Sequence, residues 1–345
     1  MLLTVKRIVD REGGVSRYLL AGSVSDRLLP RGTETLTGRV HRVTLRPLSA
    51  GEVLGQPTQW LPQVLEGNGE IPSIHTELRR DAVFELAAMG GFPGSLRKPT
   101  PALQRRWLNS YLATVADRDL PPLIDVRNPG ALAKLFRLVV QRTSATVNLT
   151  ECGNRLQVKP DTIRAYLNLL ERLFLIDELP SWSVGLSARE GRRSKLHVTD
   201  TGLAAATLSA DARKLGRLPI GGSIIESFVH SELRKQAALI DEPLEFAHYR
   251  EVGGREVDLV IERGDGTVIG IEVKAATGGS GDGKGLRFLR DALGDRFICG
   301  VVFQTGPLTV RLDDRIWATP IPALWGGGGV VPGGTGSGLT EWHEC

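Results

Sequence analysis

The chain opens with Leu2, Leu3, Val5, Ile8 and Val9 clustered at helical spacing, which predicts a helix over residues 1–10. Two aliphatic runs follow. SRYLLAGSV (16–24) reads as a short strand, and GRVHRVTLRPLSAGE (38–52), through Val40, Val43 and Leu45, as a second. Together they predict one edge of an α/β sheet. A polar, Gly/Pro-rich stretch (51–73) leads into helical patterns at 75–90 and 101–118, separated by the turn residues of GGFPGSLRKPTP.

From residue 131 the spacing changes. ALAKLFRLVVQRTS reads as an amphipathic helix and NLTECGNRLQV as a short second one. KPDTIRAYLNLLERLFLI is a third, with Ile163, Tyr166, Leu167, Leu170 and Leu173 on one side and Pro160 and Asp161 at its start. Strand-like LFLIDELPSWS comes next. This is the order of a winged helix-turn-helix, whose third helix can enter a major groove, although many such modules only contact protein. Within 183–203 lies a basic stretch with Arg189, Arg192, Arg193 and Lys195. Such a stretch is ordinarily a solvated loop; beside a nucleic-acid site it would contact phosphates. The last 20 residues, with His343 and Cys345, are Gly-rich and predict a disordered tail.

The segment EVDLVIERGDGTVIGIEVKA (256–275) carries the candidate chemistry. Period-2 alternation puts Asp258, Val260 and Glu262 on one face and Val257, Leu259 and Ile261 on the other, with Glu272 and Lys274 sharing a face of the next strand. An antiparallel hairpin closed by residues 263–267, or one containing a bulge, sets Asp258 opposite Glu272. Two carboxylates held together repel unless a cation joins them, and hard oxygen donors suit Mg2+ or Mn2+. Asp258 and Glu272 are therefore candidate metal ligands, with Lys274 positioning a water for attack on a phosphodiester. Glu226 lies three residues after Ser223 near the start of a predicted helix. It reads both as the partner in a capping box and as a further acid reaching the site. An ordinary half-exposed hairpin would show the same alternation.

Composition narrows the classes without choosing among them. With 345 residues, 41% hydrophobic, 24% charged and a net charge of +4, the sequence predicts a soluble protein of two to three domains that tolerates nucleic acid without requiring it. Cys152, Cys299 and Cys345 are far apart and the histidines form no ligand spacing, which argues against structural zinc or a disulfide framework. No apolar run approaches the roughly 18 residues of a membrane span, and no signal peptide is evident, so a cytoplasmic location is expected.

The stretches GSIIESFVHSELRK, HYREVGGREVDLVIE and GIEVKA resemble the restriction-endonuclease-like module, with its PD-(D/E)xK signature, that closes a prokaryotic family of AAA-type ATPases carrying a C-terminal domain of unknown function. LERLFLIDELPSWS, HVTDTGLAAA, GGFP, RRWLNSYLATVADRDL and the run from RYLLAGS to LSAGE extend the resemblance over about 1–325. The resemblance implies an α/β fold in three parts: a partial AAA-type P-loop ATPase sheet (1–112), a helical and winged-helix region (113–185) and a restriction-endonuclease-like α/β domain (186–325), before the tail (326–345). Family members carry a P-loop and a Walker B strand. Here GDGKGL lacks the P-loop spacing, and LFLIDE falls in the winged-helix region. The chain thus resembles a member truncated at its N-terminus. ATP belongs to the family but is not expected to be hydrolysed here, and Ser23 and Arg39 are only weakly nucleotide-facing by resemblance. The expectation is a Mg2+- or Mn2+-dependent DNA nuclease-like protein. The alternatives are a non-catalytic DNA-binding or regulatory protein and a fragment of a complete ATP-binding protein; an oligomer or a partner protein is compatible with each.

Overall fold

Every residue of FICGVVFQ (Phe297–Gln304) is buried. A continuous apolar run with no alternation is what a strand covered on both faces requires, and this one forms the middle of the larger of two sheets. The computed structural model describes residues 2–12, 18–22, 41, 43–56, 58–115, 129–183, 193–251, 254–277, 282–329 and 331.

The helices are α1 (Leu2–Glu12), α2 (Ala50–Leu54), α3 (Trp60–Glu66), α4 (Arg80–Met89), α5 (Pro93–Leu96), α6 (Pro101–Thr114), α7 (Pro129–Val140), α8 (Leu149–Leu156), α9 (Pro160–Arg172), α10 (Thr201–Thr207), α11 (Ala212–Arg217), α12 (Gly221–Ala237) and α13 (Lys284–Leu293). The strands are β1 (Ala145–Thr146), β2 (Ile176–Leu179), β3 (Lys195–Val198), β4 (Leu244–Arg250), β5 (Glu256–Arg263), β6 (Val268–Val273), β7 (Phe297–Gln304), β8 (Val310–Asp313) and β9 (Ile316–Pro320). The architecture is mixed α/β. A three-stranded antiparallel sheet runs β1-β3-β2, and a six-stranded mixed sheet runs β4-β5-β6-β7-β9-β8. The parallel pairs are β6 with β7 and β7 with β9. Helix α13 links β6 to β7 and lays Leu286, Leu289 and Leu293 on one face of the sheet. The opposite face carries Leu259, Ile261, Ile269 and Ile271 and is covered by α12 through Ile225 and Val229.

Helix α12 also supplies polar groups to its neighbours. Glu232, fully buried, accepts from the Ala50 N–H at the start of α2 (2.9 Å) and from the Lys235 ammonium (2.7 Å). Gln236 accepts from the Leu61 N–H (2.7 Å) and donates to the Leu324 carbonyl (2.9 Å). Helix starts leave N–H groups without intrahelical partners, and here a third helix supplies two of the missing acceptors.

The amino-terminal part departs from expectation. Residues 18–22 and 43–49 form no strand, and Leu19 (96%), Val43 (79%) and Leu45 (95%) face solvent. Aliphatic runs become strands only where a neighbour completes the ladder, and among the described residues no strand pairs with 18–22 or 43–49. The end of the second run is instead a helix start: Ser49 and Glu52 build a capping box on α2. Ser23, Arg39, Arg189 and Arg192 lie outside the described residues. At the other end the predicted disorder begins too early. The Thr76 hydroxyl donates to the Gly327 carbonyl (2.6 Å), the Trp325 indole donates to that of Gly328 (3.1 Å), and Val331 is buried. Among the described residues no helix is long and apolar enough to cross a membrane.

Candidate functional site

The β5–β6 hairpin turns through residues 264–266. The Gly266 N–H bonds the Arg263 carbonyl (2.9 Å), and Gly266 holds the positive φ (81°) that closes so short a connection. The register runs from Glu262↔Val268 to Leu259↔Ile271, which brings Asp258 and Glu272 to the same end of the hairpin.

On its other side β5 carries a bulge. Ala247 pairs with Val260 and Tyr249 with Val257, so His248 alone opposes both Asp258 and Leu259. Residues of a bulge lose strict alternation. Val257 and Val260 consequently pack together on the α13 side, while Asp258 joins Leu259 in lining a small cavity under α12. This corrects the simple alternation, which grouped Asp258 with Val260 and opposed it to Leu259. The Asp258 Oδ2 accepts from the Val273 N–H (2.9 Å). Glu272 turns to the α13 side, where its Oε2 accepts a long bond from the Gly283 N–H (3.4 Å) and pairs with the Lys274 ammonium (3.5 Å). The two acids flank one end of the hairpin, inclined towards opposite faces.

Glu226 reaches the same end from α12. The helix starts at Gly221 with no side-chain cap, so the capping box proposed for Ser223 and Glu226 does not form. Glu226 instead pairs with Lys195 (3.0 Å). Lys195 corrects a second expectation. It is no exposed phosphate contact: its side chain is 3% exposed, and its ammonium lies 2.8 Å from Glu256 and 3.5 Å from Asp258 as well. Strand β3 is the centre of the small sheet, and alternation sends Lys195 and His197 together towards α12, where the His197 Nδ1 meets the Ser227 hydroxyl at 3.0 Å. Arg193 remains exposed.

Burial disfavours the Lys195 ammonium, yet Glu226, Asp258 and Glu256 outweigh it and hold its pKa above the ordinary lysine value. Burial, reinforced by the Asp258 charge, pushes the Glu226 carboxyl up to about 8. One ammonium cannot neutralise three neighbouring carboxylates, and a proton on Glu226 relieves the surplus. Burial also raises Glu272, against the pull of Lys274 and with the help of Asp258. Burial opposes the charge of Lys274, but Glu272 and Asp258 overcome it and raise its pKa. The rings of His197 and His230 stack at 4.4 Å beside the cavity. Burial drives both well below the usual histidine value, so both are neutral, and among the described residues His197 Nε2 and His230 Nδ1 have no hydrogen-bond partner.

The structure therefore brings Glu226, Asp258, Glu272, Lys274 and Lys195 to one end of the hairpin. Sequence reasoning missed Glu256 and His197, and misread Lys195. The signal for Lys195 was the alternation of KLHV, which pairs it with His197; the surrounding arginines obscured it. Among the described residues no three His, Cys, Asp or Glu side chains stand close enough to enclose a metal ion.

A model described only as a domain of unknown function, DUF8612, matches residues 80–214, and a second, the domain of unknown function DUF4143, matches residues 221–324. The acids lie in the second span and Lys195 in the first. The chain is 28% identical over 316 residues to an uncharacterized protein of Mycobacterium tuberculosis and equally to one of Mycobacterium bovis, covering 91% of this chain and 64% of each relative. The chain thus spans under two thirds of the length of these relatives. No solved structure matches it.

Proposed function

We propose that the end of the β5–β6 hairpin is a divalent-metal site for phosphodiester hydrolysis, and that the protein is a DNA nuclease-like protein. The observation that carries this reading is the meeting of Asp258, Glu272 and Lys274 on adjacent strands with Glu226 from α12.

Four carboxylates, Glu226, Glu256, Asp258 and Glu272, gather around Lys195 and Lys274, leaving a negative surplus made of hard oxygen donors. Mg2+ or Mn2+ suits this set as an ion held by one or two carboxylates and otherwise by water; an all-protein cage does not fit. Asp258 and Glu272 are the residues that would hold it. When bound, the ion would acidify a water and offset charge on the phosphoryl oxygens. Lys274, paired with Glu272 at the mouth, would orient the attacking water, and Glu226 would hold or release a proton beside it. Arg193, exposed at the surface, is a candidate for contact with a phosphate backbone.

A second reading draws on Lys195, which already supplies a cation to Glu226, Glu256 and Asp258 and so suits a nuclease-like fold kept for binding. The order α7, β1, α8, α9, β2, β3, with the buried stripe of Ile163, Tyr166, Leu167 and Leu170 on α9, supports a winged-helix DNA contact in either reading. Titrating Mn2+ calorimetrically into the full chain and into Glu272→Ala, then incubating both with duplex DNA, tests the choice. Uptake and cleavage lost in the variant are expected. Salt-dependent DNA binding with no metal uptake in either protein would favour the binding reading.

A further inference from the structure

Three rings and a guanidinium climb from the interior to the surface beside the acids. Trp182 meets Tyr249 of β4 edge-on, with 6.3 Å between ring centres. Tyr249 in turn stacks on Phe288 of α13 (5.6 Å, planes 20° apart), and the Arg255 guanidinium lies 4.6 Å from the Phe288 ring centre. Trp182 and Tyr249 are buried, Phe288 is half-buried and the Arg255 side chain is 52% exposed, so the series ends in a flat cation at the surface.

Arg255 is held in this place by its own turn. Its carbonyl accepts from the Glu251 N–H (2.9 Å) and its Nη1 donates to the Glu251 carboxylate (3.1 Å), which fixes the side chain across the connection from β4 to β5. An exposed arginine ordinarily keeps much rotamer freedom. A weakly hydrated, planar guanidinium already seated on an aromatic face is preorganised to take a second flat group.

The stack also stands next to the acidic site. The Gly283 N–H at the start of α13 bonds Glu272, and Phe288 follows about 7.5 Å further along the helix axis. Arg255 immediately precedes Glu256, whose carboxylate meets Lys195. Charge suited to phosphates surrounds the same end: Arg250 closes β4, Lys284 opens α13, the Arg193 carbonyl lies 3.2 Å from His248 Nε2, and all three cations are exposed. Flat groups that stack on aromatic or guanidinium planes and carry phosphates are nucleobases. In a duplex their faces are covered by neighbouring pairs, so the group that fits is an unpaired base.

We propose that Arg255, seated on Phe288, is a stacking platform for an unpaired base, and that the substrate of this site is DNA with a single-stranded stretch or end. This rests on the nuclease-like reading of the hairpin end and names its substrate class.

Binding of a short fluorescein-labelled single strand, of the same sequence as a duplex, and of an abasic strand of equal length tests this. Anisotropy is read in EDTA with the full chain as wild type, Arg255→Ala, Arg255→Lys and Phe288→Leu, each checked for folding by circular dichroism. Arg255→Lys keeps the charge and loses the plane, which separates stacking from a phosphate contact. Wild type is expected to prefer the single strand to the duplex. All three variants, and removal of the bases, should each weaken binding of the single strand at least about tenfold. Wild-type affinity in Arg255→Lys, an abasic strand bound as tightly as the intact one, or a preference for duplex would overturn the platform and leave the nuclease-like reading standing. Because EDTA excludes the ion, failure of Mn2+ uptake elsewhere removes the metal site without touching this result. If wild type binds none of the three strands, the platform and the DNA reading fall together.

Discussion

Replacing Arg46 with alanine should destabilise the protein by about 3 kcal/mol at neutral pH. Arg46 grips Asp177 with two parallel bonds, Nη1 to Oδ2 at 2.9 Å and Nη2 to Oδ1 at 3.1 Å, with the two side chains only 15% and 11% exposed. Breaking a buried pair by removing one partner leaves an uncompensated charge and costs about 3–5 kcal/mol. Arg234 also attracts Asp177, so the lower end of that range applies. The pair ties residues 43–49 to β2, the strand beside the one that carries Lys195. Urea unfolding of wild type, Arg46→Ala, Asp177→Asn and the double variant measures the coupling. The double variant should recover part of the loss, because no charge is then left buried. The pH dependence supplies a second check. Burial opposes ionisation of Asp177, but Arg46 prevails and its carboxyl lies below the usual value. A depressed carboxylate adds stability above its unfolded pKa of about 3.9, and that stability is lost as pH falls through the folded value. Without Arg46 burial acts with less opposition, so the carboxyl titrates higher, its penalty is present at neutral pH, and acid relieves it. The gap between Arg46→Ala and wild type should therefore narrow below about pH 5. A loss under about 0.5 kcal/mol at pH 7, or a gap that does not change with pH, would refute this account.

Two further effects follow from the packing around the site. A Cβ at Gly285 would sit 2.1 Å from the Glu256 carbonyl oxygen and 2.8 Å from Val257 Cγ2, and backbone cannot yield as a side-chain tip can. Gly285→Ala should cost about 2 kcal/mol or more and lower the thermal midpoint, because α13 must back away from β5; an unchanged midpoint would mean the helix has room to move. Burial lowers the His248 pKa to about 4, and takes His197 and His230 well below 6.5. Between pH 6.5 and 4 the unfolded chain binds the protons that the folded one refuses, so stability is full above about 6.5 and falls with acid. His248 alone contributes a loss of about 3 kcal/mol by pH 4, read as a lower urea midpoint at pH 5 than at pH 7.5, and equal midpoints would contradict the burial argument.

Local pattern sufficed for much of the carboxyl-terminal half. The stripe on α9 and the two strands of the β5–β6 hairpin with an odd-numbered turn between them follow from neighbours a few residues apart, and periodicity is a property of such neighbours. The same reasoning failed at 18–22 and 43–49, the described parts of the two amino-terminal runs, because an aliphatic run carries strand propensity but not the partner that makes it a strand. It failed again at Asp258, where the extra residue opposite His248 shows only in the pairing of two strands. Lys195 is the clearest case. Its sequence neighbours are arginines, and from them it reads as solvent-facing charge. Its ammonium is instead fixed by Glu226, thirty-one residues on, and by Glu256 and Asp258 in another sheet. The sequence by itself determined which residue types carry the charge and, where no bulge intervenes, which side of a regular element they take. Only the tertiary structure decided which charges meet, because an ion pair between elements depends on how those elements pack, and no local spacing encodes that.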